Sequence, residues 1–408
     1  MSEKSILIIG CFDTKGEVFA FLRSQILSRG EQVLTINTGV MGSSDLFPVD
    51  FESEVVAREA GKSIGDLRLE RDRGNAIEVM GKGAATLVAK LVADGKIKAA
   101  IGMGGGGGTY IALSAMQEIP LGVPKLCLTT LATKDLSRQI GNKDITLMPS
   151  IVDVAGINSI SSVLIAQAAA AICAMSSIES RSVNERYGSI AISMFGNTTA
   201  CVDRCTQLLE KEGYEVMAFH ANGVGGRTME ALILEGCFDA VLDITTTELA
   251  DELCGGVCTA GPERLRSAGK MGIPQVVVPG CMDMVNFAQL DTVPEKYRDR
   301  HLYSWAPDVT LMRTDADENR VLGEKLAKSL NTSTGTTTIL LPLKGLSQID
   351  SDGGIFYRPD VNSVLFDSIK EHASNKINVI EVDMHINDPE FAGLLVTELL
   401  RILRVDEN

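Results

Sequence analysis

The chain is poor in the residues from which metal and redox centres are usually built. It has four histidines in 408 residues and no His-Glu-x-x-His stretch, which speaks against a multi-histidine metal site. No Cys-x-x-Cys occurs. The nine cysteines are scattered and odd in number, as expected of reduced, mostly buried thiols. Two Cys-x-x-x-Cys pairs exist, Cys201 with Cys205 and Cys254 with Cys258. Their spacing is looser than that of a zinc ribbon. No run of lysine and arginine is interleaved with aromatics, and the net charge is −15. Non-specific nucleic-acid binding needs a positive surface, so nucleic acid is not an expected partner. The N-terminus "MSEKSILIIG" lacks the long apolar core and small-residue cleavage site of a leader. The apolar stretch Ser161–Met175 is shorter than the ~20 residues of a membrane span and is expected to be a buried helix. The expectation is a cytoplasmic protein with no membrane partner.

What is present points to α/β architecture. At 408 residues the chain is too long for one core, and its 45 % apolar content can bury two. "SILIIG" is a continuous apolar run, as in a strand buried on both faces. The polar loop "CFDTKGE" follows, then a helix to Gly30, then the strand "QVLTINTG". That is a β–loop–α–β unit with parallel strands. It returns near residue 189 as "SIAISMF", "GNTTA", "CVDRCTQLLEKEG" and "YEVMAFHANG". A shift of 183 positions lays Phe12 on Phe195, Gly30 on Gly213 and Asn37 on His220 without a gap. "GVPKLCLTT" is echoed by "GIPQVVVPG". The reading is two Rossmann-like, doubly wound α/β domains with mainly parallel sheets, residues 1–182 and 183–408, joined through the polar stretch 176–188. In such sheets ligands bind at the carboxyl ends of the strands.

The feature richest in chemical meaning is "GMGGGGGT", Gly102–Thr109. It lies between the strand "IKAAIGMG" and the helix "TYIALSAMQEI". A glycine-rich turn at a helix N-terminus lets backbone N–H groups converge on a phosphate or carboxylate. The alternative is a tight turn that only packs strand on helix. The match to G-x-G-x-x-G is nearly automatic with so many glycines, and the next strand ends in threonines, not in an acidic residue. This disfavours NAD. No lysine follows Gly108, so the run is not a standard P-loop. In the first loop Lys15 is placed to meet a phosphate, Thr14 to donate through its hydroxyl and Asp13 to hold Mg2+. The alternative there is an ordinary helix cap.

The second half carries its own set. "HANGVGGRTME" contains Gly225 and Gly226 and ends in Arg227, an expected clamp for an anionic substrate. "DITTTELAD" adds Thr245 and Glu248, and "PGCMDMVNF" adds Asp283 and Asn286. His220, Glu248 and Asp283 are the expected acid–base groups. "GKSIG" matches the serine-hydrolase elbow but follows a charged helix-like segment rather than a buried strand. "DSDGG" offers Asp350 and Asp352 without the later ligands of a calcium loop.

Together "FDTKGE", "GMGGGGGT", "GVPKLCLTT", "FHANGVGGRTME", "LDITTTELADEL", "GIPQVVVPGCMDMVNF", "VTLMRTDADEN", "LPLKGLSQID" and "HINDPEFA" resemble the ATP-binding domain of the tomato mosaic virus resistance protein and its bacterial relatives. The resemblance runs in order over almost the whole chain. It implies two Rossmann-like subdomains, ATP with Mg2+ bound by the first, and a homodimer. In plants and fungi this domain is joined to a TIM barrel, so a separate TIM-barrel protein is an expected partner. Motif matching puts the nucleotide against Phe12, Asp13, Thr14, Lys15, Gly104, Gly105, Gly106, Gly107, Gly108 and Thr109. The family often has serine in this run, and its hydroxyl is missing here. The expected function is an ATP-binding enzyme of small-molecule metabolism with a site between its domains, ligase-like or phosphoryl-transferring. Two alternatives stand beside it: a hydrolase or lyase acting on a phosphate- or carboxylate-bearing substrate, and a nucleotide-regulated binding protein without catalysis.

Overall fold

A computed structural model describes residues 4–178 and 188–406. The chain divides into two compact units, Met1–Arg181 and Ser182–Asn408. Most of the polar stretch expected to join them, residues 179–187, lies outside the described residues.

The first unit runs β1 (Ser5–Gly10), α1 (Phe12–Leu27), β2 (Val33–Asn37), α2 (Ser53–Glu59), α3 (Ile64–Glu70), α4 (Arg73–Ala93), β3 (Ile97–Gly104), α5 (Gly106–Met116), β4 (Lys125–Thr129), α6 (Ser137–Ile140), β5 (Ile145–Pro149) and α7 (Ser159–Ser176). Its five strands are all parallel, in the order β2-β1-β3-β4-β5. Every residue of β1 is buried, because both faces of the sheet are covered. Leu7 and Ile9 pack with α4 and α5, while Ile6 and Ile8 pack with α1 and α7. This is a doubly wound sheet. Its strand order reverses between β1 and β3, and the crevice there is where such folds hold ligands. By length and composition α7 is a helix that could cross a membrane. Here Ile165, Ala168, Ala169 and Ile172 join the core of the unit.

The second unit runs β6 (Ser189–Met194), α8 (Thr199–Lys211), β7 (Glu215–His220), α9 (Val224–Leu234), β8 (Ala240–Thr245), α10 (Glu248–Cys254), α11 (Ser267–Met271), β9 (Gln275–Gly280), β10 (Met284–Phe287), β11 (Leu302–Ala306), β12 (Val309–Arg313), α12 (Ala316–Leu330), β13 (Thr337–Pro342), α13 (Pro359–His372), β14 (Asn378–Val382) and α14 (Pro389–Asp406). Six parallel strands lie in the order β7-β6-β8-β9-β13-β14. Counted within the unit this is the same winding as in the first, extended by one strand. Ile190 and Ile192 pack with α8 and α14, and Ala191 packs with α9 on the other face. A separate antiparallel sheet, β10-β12-β11, is inserted after β9.

The repeat read from the sequence has a structural counterpart. Gly30 and Gly213 end the first crossover helix of each unit, with φ of +83° and +91°. A left-handed residue in that place favours glycine. Two elements start earlier than expected. The "CFDTKGE" stretch is the first turn of α1, broken at Lys15 (φ −133°, ψ 26°). The helix after the glycines begins inside them, at Gly106. Ser63 of "GKSIG" caps α3 by accepting from the Gly65 amide, so it is a capping residue.

Candidate functional site

A cavity of about 970 Å3 opens at the β1/β3 switch point of the first unit. It is lined from the β1 end by Cys11, Asp13, Thr14 and Lys15, and from the β3 end by Gly105–Gly108. Thr38–Met41 after β2, the arginines Arg68, Arg71 and Arg73, the carboxylates Asp72 and Asp153 and an apolar wall that includes Ile77 and Ile111 also line it. Gly106, Gly107 and Gly108 form the first turn of α5, so their amide N–H groups have no acceptor within the helix. The positive end of the α5 dipole therefore faces the cavity.

The glycines divide by what surrounds them. None of Gly104–Gly108 has a positive φ, so backbone conformation does not demand glycine. A Cβ on Gly104 would stand 3.0 Å from the Gly108 Cα, a packing reason of the ordinary kind. A Cβ on Gly106 meets nothing within 4 Å, and one on Gly105 meets only the Thr130 hydroxyl at 3.7 Å. Of the four glycines that line the cavity, Gly105 and Gly106 have room for a side chain, whereas a Cβ on Gly107 would stand 2.8 Å from Ile77 Cδ1.

Several expected contacts take a different form. Phe12 is buried, its ring edge-on to Phe19 and Phe47 at 5.0 Å, and it touches the core rather than the cavity. Thr109 is buried too, bonded to Thr129 at 2.6 Å, and with Gly104 stands behind the cavity wall. The Lys15 ammonium donates to the Val154 carbonyl. Asp13 accepts from the Thr14 amide at 2.7 Å and the Met41 amide at 2.9 Å. Its carboxylate fills the space a Cβ on Gly39 would need, 2.2 Å away. The three arginines were missed because they sit in a charged stretch without periodicity. The local excess of cations in "RLERDRG" of an acidic chain was the available signal. Arg68 donates to the Val40 carbonyl at 2.6 Å, whereas Arg71 and Arg73 are exposed beside the Asp72 cap of α4.

In the second unit the expected acid–base groups are held in three separate networks. Glu248 accepts from the Gly223 amide at 2.7 Å and the Gly226 amide at 3.2 Å, and Arg264 donates to it at 2.5 Å. Arg264 is fully buried and also contacts Asp243 and Glu230. Asp283, also fully buried, accepts from the Ser347 hydroxyl at 2.8 Å. Burial, with Asp350 nearby, pushes its carboxyl up to about 7. Asp350 is a structural group here, accepting from the Leu346 amide and from Asn362. His220 is exposed and stacks on Phe195, centroids 5.2 Å apart.

The expected substrate groups also have local work. A Cβ on Gly226 would stand 2.2 Å from the Glu248 carboxylate, and one on Gly225 would stand 2.0 Å from the His220 carbonyl. Arg227 donates to the Thr259 carbonyl at 2.7 Å. Thr245 is buried, bonded to Thr198 at 2.7 Å. Asn286 donates to Asp251 at 2.8 Å and to Thr247 at 3.2 Å. Burial raises the Asp251 carboxyl to about 7. His220 and Asn286 do share a wall: both line a second cavity, of about 380 Å3, at the carboxyl ends of β6 and β7. Cys201 and Cys205 are buried in α8. Burial raises the thiols of Cys254 and Cys258 to about 12, so both are neutral at pH 7.

Fold and cavities define an α/β protein of two Rossmann-like units, each with a cavity at the carboxyl edge of its parallel sheet. Residues 4–181 match the N-terminal domain, and residues 188–403 the C-terminal domain, of the uncharacterised protein family UPF0261. The chain belongs to this family. It is 43 % identical over 401 residues to a UPF0261 protein of Clostridium tetani, covering 98 % of this chain and 99 % of that one. It is 34 % identical over 423 residues to the ToMV resistance protein Tm-1(GCR237) of Solanum lycopersicum, covering 97 % of this chain and 55 % of the tomato protein. Among solved structures, a UDP-N-acetylglucosamine 2-epimerase matches at 9 % identity over 98 % of this chain and 96 % of that one, with a TM-score of 0.24, too low to carry any argument.

Proposed function

We propose that the first unit binds the polyphosphate of a nucleotide, ATP by the resemblance noted above, in the cavity at the β1/β3 switch point. The observation that carries the reading is the joint arrangement at one opening. Three helix-terminal amides, Gly106–Gly108, share the cavity with Arg71 and Arg73, and a side chain at Gly106 would meet nothing. Amides at a helix N-terminus and guanidinium groups are both suited to phosphate, the first by converging N–H donors and the second by bidentate hydrogen bonds. The volume lies near the upper end of ordinary small-molecule pockets, room enough for a nucleotide. Asp13 fits a magnesium ion held mainly by phosphate oxygens, since such ions take one or two protein carboxylates. Among the described residues no group of three or more His, Cys, Asp and Glu could hold a metal without the nucleotide.

An ATP-dependent reaction of ligase-like or phosphoryl-transfer type on a small molecule is the chemistry this reading favours. A hydrolase or lyase built on His220, Glu248 and Asp283 fits less well, because Glu248 and Asp283 are buried in different networks. The test is calorimetric titration of Mg-ATP into the wild type, Arg73→Ala and Gly106→Leu, with AMP and NAD as controls. Binding to the wild type that weakens about tenfold or more in both variants is expected. ATP binding that both variants leave unchanged would remove the cavity as its site, and no binding at all would remove the nucleotide.

A further inference from the structure

The second cavity differs from the first in chemistry and in place. It lies at the ends of β6 and β7, and among the described residues its lining takes nothing from the end of β8 and holds no lysine or arginine. No permanently charged cation stands there to neutralise a phosphate. Instead Phe195 and His220 present stacked rings, inclined by only 18°, at the ends of β6 and β7. The β11–β12 hairpin brings Trp305, the chain's single tryptophan, and Asp308 to the same opening. Trp305 is 43 % exposed, held edge-on against Tyr303 at 6.3 Å. A large exposed aromatic side chain that is fixed by a neighbour offers a stacking surface at little cost in side-chain freedom.

Two lining residues add a polar requirement. Asn197 and Asn286 are almost wholly buried, at 2 % and 1 % exposure. Each leaves its carboxamide oxygen without a hydrogen-bond partner among the described residues. For Asn286 the orientation is set by its surroundings, because its amide nitrogen faces the Asp251 carboxylate at 2.8 Å. The orphaned atom is therefore an acceptor. Buried acceptors without partners are rare and call for a donor. The two oxygens are themselves closed to solvent, so the cavity combines flat aromatic walls with an exposed acceptor for N–H groups, the Asp308 carboxylate.

We propose that the second unit carries a separate binding site for a planar heteroaromatic ring, neutral or cationic, with N–H donors on its edge. Rings of the amino-substituted purine or pyrimidine kind have this chemistry. At about 380 Å3 the cavity suits a single ring system and a small substituent rather than a whole dinucleotide. The absence of lysine and arginine from its lining sets it apart from the first cavity with its arginines, so the two sites select different compounds.

Trp305 reports on the site directly, since no other tryptophan contributes to the emission. The experiment is a fluorescence titration of the full chain with adenine, adenosine and ATP. It is run on the wild type, on Ala288→Phe, which fills the cavity, on His220→Ala, which removes an exposed ring, and on Arg73→Ala. Saturable quenching by adenine is expected, weakened about tenfold by Ala288→Phe or His220→Ala and unaltered by Arg73→Ala. Adenosine binding like adenine would indicate a ring at the end of a larger neutral compound, and adenine binding better a free base; either supports the site. No saturable change with adenine or adenosine overturns it, and leaves the two asparagines to ordered water. Quenching lost in Arg73→Ala also overturns it, since the signal then arises from the first cavity. ATP binding as tightly as adenine at this site overturns the assigned ligand class.

Discussion

Arg264 Nε lies 2.5 Å from Glu248 Oε2, and both side chains are shut away from solvent. The same guanidinium serves Asp243 and Glu230, so one cation holds three carboxylates together. Arg264→Met is expected to destabilise the second unit by about 3–5 kcal/mol, because buried carboxylates left without their cation are costly. Arg227→Ala removes only an exposed contact with the Thr259 carbonyl and should change stability by less than about 1 kcal/mol. Urea denaturation of the two variants side by side checks the contrast.

The glycines of the two loops should respond to alanine in opposite ways. Gly226→Ala drives a Cβ to 2.2 Å from the Glu248 carboxylate, and that carboxylate is pinned by Arg264. A lowered melting temperature is expected. Gly106→Ala meets nothing and replaces a flexible residue in a helix, so stability should hold or rise by about 0.5–1 kcal/mol. Thermal melts of both proteins decide it.

Asp283 gives the second unit a pH dependence. Its carboxyl rises from the usual 3.8 to about 7 through burial and the neighbouring Asp350. The folded chain keeps this proton where the unfolded chain releases it. The stability contributed is therefore fully present below 3.8 and is lost as pH rises through about 7. The expected slope in that window is at most about 1.4 kcal/mol per pH unit for this group. Asp283→Asn keeps an acceptor for Ser347 and removes the charge. Its urea midpoint should fall less than that of the wild type between about pH 5 and about pH 8.

The magnesium dependence of ATP binding should pass through Asp13. Removing Mg2+ with a chelator is expected to weaken ATP binding to the wild type more than to Asp13→Asn. Equal losses in the two proteins would place the ion away from Asp13. The substitution is mild for the fold because Asn retains an acceptor for one of the two amides, Thr14 and Met41, that Asp13 now holds.

The parallel strands were legible because burial on both faces writes a continuous apolar run, as in "SILIIG". The shift of 183 positions was legible because Gly30 and Gly213 do the same backbone task in each unit. The inserted β10-β12-β11 sheet was not legible, since "MVNF", "LYSWA" and "VTLMR" are short and carry no uniform periodicity. For the sites, the sequence showed that Gly225, Gly226 and Gly106 are glycines but not what stands opposite each. Two face a carbonyl and a carboxylate of their own unit, and one faces open space. Arg264 and Glu248 are separated by 16 positions across a loop, and no spacing rule pairs them. The arginines of the first cavity were hidden for a similar reason: their convergence depends on how α3 meets α4, not on any local pattern.

The exposed rim of Arg71 and Arg73 has a consequence for the solution around the protein. Charges in contact with water are screened over roughly 8 Å at physiological ionic strength, and over about 3 Å in molar salt. A polyanion bound in the first cavity as proposed would be held by a field that salt erodes, whereas a flat neutral ring bound in the second would be held by contact and keep its affinity. Raising the ionic strength should empty one site and leave the other filled, sorting the two occupancies without altering a residue.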